Sequence, residues 1–211
     1  MKTNYNRPKV IAEIGCNHKG EIEIAKQLLR VAAESGVEVA KFQKRNNKEL
    51  LTKEQYNTPH PNPINSYGDT YGEHREFLEF NVNQHKELKE YTESLGLVYS
   101  TSVWDTTSAK EIVTLNPELI KVPSACNNHF EILKVLRDEY QGEVHISFGM
   151  TTKSEEEEIV TFFEQTNQAN RLVVYSCTSG YPVPFGDICI LEILRIKEKF
   201  ENRVKAIGFS G

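Results

Sequence analysis

The chain is expected to fold as an α/β protein built on a parallel sheet, and three observations carry that expectation. Short apolar runs alternate with segments of helical periodicity along nearly the whole sequence. Each run ends in small or polar residues before the next helix begins, as in the stretch RLVVYSCTSGYPVP at 171–184. Seven such runs are spaced by six helical segments, the rhythm of βα units. Two architectures meet this count: a doubly wound open sheet and a closed barrel. Both place functional groups where strands end.

Taken in order, residues 10–15 form the first strand. Ile22, Ile24, Ala25, Leu28, Leu29 and Ala32 then recur at helical spacing, and Gly36 stops that helix as a left-handed cap. A second strand covers 37–43, where the alternation of Val37, Val39 and Lys41 turns one face toward something polar. Residues 44–71 break the pattern. They hold Pro59, Pro61, Pro63, several asparagines and Tyr56, Tyr67 and Tyr71, which fits either a packed functional loop or a disordered insertion. The remaining strands are expected at 97–102, 119–123, 143–149, 171–177 and 204–209. Helices are expected at 83–94, 106–115, 130–140, 152–166 and 187–200, the fourth opened by a capping box of Thr152 and Glu155. Gly211 follows the seventh strand directly, so the chain reads as cut short.

The totals narrow the function classes. A chain of 211 residues makes one domain that buries about 70% of its unfolded surface. A net charge of −5 argues against nucleic acid as a partner. Cys16, Cys126, Cys177 and Cys189 lack Cys-x-x-Cys spacing and read as reduced thiols. The polar start at 1–10 does not resemble a secretory leader, and no window approaches the roughly 18 apolar residues of a membrane span, so a cytoplasmic protein is expected.

The strand ends carry the chemistry. Glu13, Lys41 and Lys121 sit inside the apolar runs VIAEIG, VEVAKFQ and LIKVPS, where an ionised side chain is unfavourable unless it is paired or faces a ligand. Gln43, Thr101, Asp105, Ser124, Ser147, Ser176, Thr178, Tyr181 and Ser210 stand at comparable heights. Two lysines among hydroxyls suit a phosphate or carboxylate of a small metabolite. Neither a dinucleotide fingerprint nor a Walker loop is present. Glu13 could orient a substrate hydroxyl, transfer a proton or balance charge. Of the six histidines, His18 is best placed for function and His145 reads as an interior residue; none has metal-ligand spacing.

In order and spacing, the strings IAEIGCNHKG (11–20), VAKFQKR (39–45), LTKEQYN (51–57), YGEHREFLEF (71–80), YSTSVWD (99–105), IKVPSACNNH (120–129), ISFGM (146–150), CTSGYPVP (177–184) and AIGFSG (206–211) resemble the sialic acid synthase family. That family condenses phosphoenolpyruvate with N-acetylmannosamine or a related N-acyl amino sugar, free or as its 6-phosphate, to a nine-carbon keto acid. It includes the legionaminic and pseudaminic acid synthases. The resemblance implies a (β/α)8 TIM barrel, here truncated after its seventh strand, so that residues 1–211 form an incomplete synthase barrel without the family's antifreeze-like C-terminal domain. It also implies a cytoplasmic transferase, a homodimer when complete, and a divalent cofactor, Mn²⁺ or Mg²⁺.

By motif, Glu13, Lys41, Lys121 and Tyr181 are the expected catalytic residues. Gln43, Asn62, Thr101, Ser124, Ser147, Ser179 and Ser210 are the expected substrate ligands. The family's two metal histidines are expected beyond Gly211, so no metal ligand is assigned here and little turnover is expected of this stretch alone. Ser176 stands where many members have histidine, and Ser179 where many have a phosphate-contacting asparagine. Two other readings remain at this level: a Schiff-base aldolase or lyase using Lys121 or Lys41, and an inactive sugar-binding barrel.

Overall fold

The computed structural model describes residues 7–211, so the first six residues of the polar start lie outside the described part. Strands β1 (Ile11–Gly15), β2 (Val39–Lys44), β3 (Val98–Val103), β4 (Leu119–Val122), β5 (Glu143–Ser147), β6 (Leu172–Cys177) and β7 (Ala206–Ser210) form one sheet. They lie in chain order, and each neighbouring pair is parallel. A doubly wound sheet reverses its strand order at a switch point; this one never does, and it is the wall of a TIM barrel.

The wall is curled. Lys121 Nζ on β4 donates to Ser210 Oγ on β7 at 2.8 Å. Three strand spacings in a flat sheet span about 14 Å, beyond the combined reach of the two side chains. Curling gives every strand an inner and an outer face, and the two-residue period assigns them. Ala40, Phe42, Ile120, Val122, Val144, Ile146, Leu172 and Val174 point outward into two apolar clusters shared with the surrounding helices. Glu13, Lys41, Gln43, Ser100, Ser102, Lys121, His145, Ser147, Tyr175, Cys177, Gly208 and Ser210 have the opposite parity and line the lumen.

The helices are α1 (Ile22–Glu34), α2 (Asn47–Leu50), α3 (Lys53–Asn57), α4 (Tyr71–Phe77), α5 (Val82–Ser94), α6 (Thr106–Val113), α7 (Phe130–Asp138), α8 (Lys153–Glu164) and α9 (Glu192–Phe200). On α1, Ala25, Leu29 and Ala32 are buried at helical spacing against β1–β3. The Thr152–Glu155 capping box that opens α8 is present. Arg171 ties the wall to the helix layer by donating to the carbonyls of Leu136 and Arg137 at the end of α7, at 2.7 and 2.8 Å. Those carbonyls have no partner within a helix terminus.

Two expectations change. Of the two readings of the 44–71 stretch the disordered insertion fails: the segment is packed, with Tyr67 stacked on Phe77, and it contains α2, α3 and a 3₁₀ turn at Pro63–Asn65. A capping box at Thr52/Gln55 opens α3 and another at Thr70/Glu73 opens α4, short helices that apolar periodicity does not reveal. An antiparallel bridge between Pro59 and Thr70 closes the segment. The helix expected at 187–200 begins only at Glu192, because Phe185–Asp187 forms a separate 3₁₀ turn.

Gly36 ends α1 with φ +72 and open space around its missing side chain, so a substitution there meets backbone strain rather than a clash. Gly36→Ala is expected to lower stability by about 1–2 kcal/mol with an unchanged fold. Urea denaturation, with circular dichroism before the transition, measures it.

Candidate active site

The C-terminal ends of the strands bring the predicted polar residues into three groups. The first spans β1–β3. Parallel register puts Glu13 opposite Lys41 and Lys41 opposite Ser100. The Lys41 ammonium donates to the Glu13 carboxylate and, at 3.2 Å, to Ser102 Oγ. Gln43 Nε2 reaches the other Glu13 oxygen at 3.4 Å. Lys41 is buried, whereas Glu13 is exposed at the rim, so the pair has one member in the wall and one at the mouth.

The second group joins β4, β6 and β7. Lys121 Nζ contacts Ser210 Oγ and stands 5.1 Å from the centre of the Tyr175 ring. Burial, reinforced by the positive charge of Lys41, brings its pKa down to about 8, while Glu13 and Cys177 act in the opposite direction. Among the described residues Lys121 makes no ion pair. The third group lies in the loops after β4, β5 and β6. Ser124 Oγ accepts from the Gly149 amide at 3.1 Å. A β-carbon on Gly149 would stand 2.6 Å from Ser124 Oγ and 2.2 Å from Ser179 Oγ, so the glycine lets the two hydroxyls come together. The buried Ser147 hydroxyl, on the lumen face of β5, has no partner. Asn127 holds the loop from below, donating to the Ser147 carbonyl at 2.8 Å and the Gly149 carbonyl at 3.2 Å.

Glu13, Lys41, Gln43, Lys121, Ser124, Ser147, Ser179 and Ser210 therefore share one rim. Three expected residues do not join them. Thr101 has the parity of Tyr99 and Val103 and is turned toward the helix layer; the lumen positions of β3 belong to Ser100 and Ser102. Tyr181 stands 99% exposed on the loop after β6. Asn62 is exposed beside the Pro63–Asn65 turn, its carbonyl 2.8 Å from His60 Nδ1. Ser102 and Tyr175 went unassigned in the sequence. Counting in twos from Lys41 and its register partners would have found both.

His18 is placed by packing. It is buried, stacked on Phe80 at 4.1 Å between ring centres, and its Nδ1 accepts from the Gly20 amide at 3.1 Å. Burial pushes its pKa down to about 4 and that of His85, on the buried face of α5, to about 3. Asp105 caps α6. Ser176 is buried on the outer face of β6. No group of three or more His, Cys, Asp or Glu among the described residues could hold a metal ion. Glu13 is engaged by Lys41 and His18 is turned into the core, so the residues present do not fit a divalent-metal site by themselves.

The sequence profile of the NeuB family matches residues 28–211. The chain belongs to the NeuB family. It is 32% identical over 202 residues to the human N-acetylneuraminate-9-phosphate synthase, covering 96% of this chain and 55% of that protein. It is 26% identical over 194 residues to the N,N'-diacetyllegionaminic acid synthase of Campylobacter jejuni, covering 91% of this chain and 58% of that one. The chain thus spans a little over half the length of these curated relatives. In fold, this NeuB-family barrel matches the crystal structure of the N-acetylneuraminic acid synthetase of Leptospira borgpetersenii with a TM-score of 0.78. That match is at 20% identity and covers 96% of this chain and 72% of the other.

His18 and His85 are neutral when folded and have folded pKa values below the ordinary 6.5. Unfolding therefore takes up protons between pH about 6.5 and about 4, and stability falls as pH drops through that window. Denaturant titrations at pH 7 and pH 5 should show lower stability at pH 5, with a smaller difference in His18→Phe; equal slopes in the two proteins would contradict it.

Proposed function

We propose that this barrel carries the phosphoenolpyruvate half of a sugar-acid synthase site. The observation that supports the reading best is Lys121: a buried ammonium at the lumen mouth with a serine hydroxyl and an aromatic face as neighbours and no carboxylate of its own among the described residues. A cation so placed favours an incoming anion. Lys41 lies close enough to depress it, and the hydroxyls of Ser124, Ser147, Ser179 and Ser210 supply donors around the same rim. Phosphoenolpyruvate carries both a phosphate and a carboxylate, which two lysines and a ring of hydroxyls can share.

The reaction is bond formation between C3 of phosphoenolpyruvate and the aldehyde carbon of an open-chain N-acyl amino sugar, whose oxygen becomes a hydroxyl. Water adds to C2, and the resulting tetrahedral centre collapses to a ketone as phosphate leaves with cleavage of the C–O bond. Lys41 and Lys121 hold the anion and offset charge on the departing phosphate. Glu13, at the rim beside Lys41, is placed to orient the sugar or accept the proton of the attacking water. Gln43 braces Glu13. Tyr181 and Asn62, on exposed loops, belong on the sugar side of this reading, and the complete enzyme is a homodimer dependent on Mn²⁺ or Mg²⁺.

A second reading has one observation in its favour. An amine with a pKa of about 8 is a usable nucleophile near neutrality, so Lys121 could form a Schiff base with a keto acid. Borohydride reduction in the presence of pyruvate separates the two: no adduct on Lys121 removes it.

Given [bridging-¹⁸O]phosphoenolpyruvate, Mn²⁺ and a panel including N-acetylmannosamine and its 6-phosphate, the complete enzyme should yield by mass spectrometry a nine-carbon keto acid and ¹⁸O in the released phosphate. Phosphate free of the label, or a three-carbon product only, contradicts the proposal. Phosphoenolpyruvate affinity should also weaken as pH rises through about 8, where Lys121 loses its charge. A flat profile from pH 7 to 9 by isothermal titration would take Lys121 out of the site.

A further inference from the structure

Beside Lys121, whose register partner is His145, the lumen holds a second, connected set of side chains. Lys205 Nζ donates to Glu143 Oε1 at 2.6 Å, and Glu143 Oε2 lies 3.1 Å from His145 Nε2. His145 Nδ1 is 2.6 Å from the Tyr175 hydroxyl. With Nε2–H donating to the carboxylate, Nδ1 is the acceptor and the phenol donates to it. His145 and Tyr175 are both buried, at 5% and 8% exposure. The far side of the ring is fixed by an absence: a β-carbon on Gly208 would stand 2.5 Å from Tyr175 Cε1. Tyr175 is thus held by its hydroxyl and by the shape of β7. Above its face stands Lys121 Nζ, 5.1 Å from the ring centre and 2.8 Å from Ser210 Oγ.

We propose that Tyr175, anchored through His145 and Glu143 and seated against Gly208, is a positioning residue whose ring face holds the Lys121 ammonium toward Ser210 at the anion-binding mouth. This rests on the reading of Lys121 as an anion ligand. The logic is electrostatic. A lysine side chain is flexible, and ordering it in the empty pocket carries an entropic penalty. A carboxylate neighbour would order it but would cancel the charge the anion needs. An aromatic face attracts the cation through its quadrupole and leaves the net charge intact. The ionisable groups that act on Lys121 are Lys41, Glu13, Cys177 and His145, and among these Glu13 is itself occupied by Lys41.

The test is isothermal titration of phosphoenolpyruvate into the full chain from pH 6.5 to 9, with Tyr175→Leu, Tyr175→Phe, Gly208→Ala and Lys121→Met. Tyr175→Phe keeps the ring and should bind within about threefold of the parent. Tyr175→Leu should lose about 3- to 30-fold in affinity. Its basic limb should move down by roughly half to one and a half pH units, because the ring favours the charged lysine. A merely structural tyrosine would leave that limb where it is. Gly208→Ala, which displaces the ring without removing it, should weaken binding with native circular dichroism, and it decides the matter should Tyr175→Leu fail to fold. Parental affinity and limb in folded Tyr175→Leu, or in Gly208→Ala, overturn the proposal. Parental affinity in Lys121→Met overturns the anion-site reading itself, and the role of Tyr175 with it.

Discussion

Two ammonium groups stand at the mouth of a curled parallel sheet, and the carboxylate beside them pairs with only one. Much of the site follows from that imbalance. Lys41 takes Glu13, and Lys121 is left with a hydroxyl and an aromatic face. An uncompensated buried charge is expensive. Lys121 meets that expense partly by easier deprotonation, with a pKa of about 8, and partly by standing where an anion can reach it. A structural ion-pair network would have matched charges; this rim is short by one.

The wall makes the imbalance tolerable. Outward residues of all seven strands and the inward faces of the long helices form two apolar clusters, one centred on β3–β6 with α6–α9 and one on β1–β3 with α1 and α5. These clusters supply most of the buried apolar surface, so the lumen is released from stabilising the fold and can carry polar side chains. Small residues then set the spacing inside it. Gly208 admits the Tyr175 ring, and Gly149 admits the hydroxyls of Ser124 and Ser179. In each case a missing β-carbon positions a chemical group.

The strand positions were legible because β-strands buried on both faces read as apolar runs, and a charged residue inside one stands out. Glu13, Lys41 and Lys121 were visible for that reason. Facing was harder. Thr101 looked equivalent to Ser102 along the chain, yet one residue of offset turns it from lumen to helix layer. Tyr175 went unassigned because nothing beside it in sequence marks it, and its setting depends on Gly208, its register partner on the next strand. His18 appeared at a strand end, where function is expected, but Phe80, 62 positions away, stacks on it. The 44–71 segment hid its helices because α2 and α3 are only four and five residues long, too short for apolar periodicity to show, and α3 is marked instead by its capping box. Strand order was decided only by pairing: alternating βα units fit either a barrel or a doubly wound sheet, and the unbroken order of β1 to β7 selects the barrel.

The claim at the centre is that the missing negative charge at the lumen mouth is supplied by a substrate anion. A crystal of the chain soaked with phosphoenolpyruvate tests it most directly. The account predicts density for the ligand at the C-terminal rim, with one anionic group within hydrogen-bond distance of Lys121 Nζ and the other near Lys41 or the hydroxyls of Ser124 and Ser179. Ligand bound away from both lysines, or a fully occupied site elsewhere with Lys121 still on Ser210 alone, would contradict it.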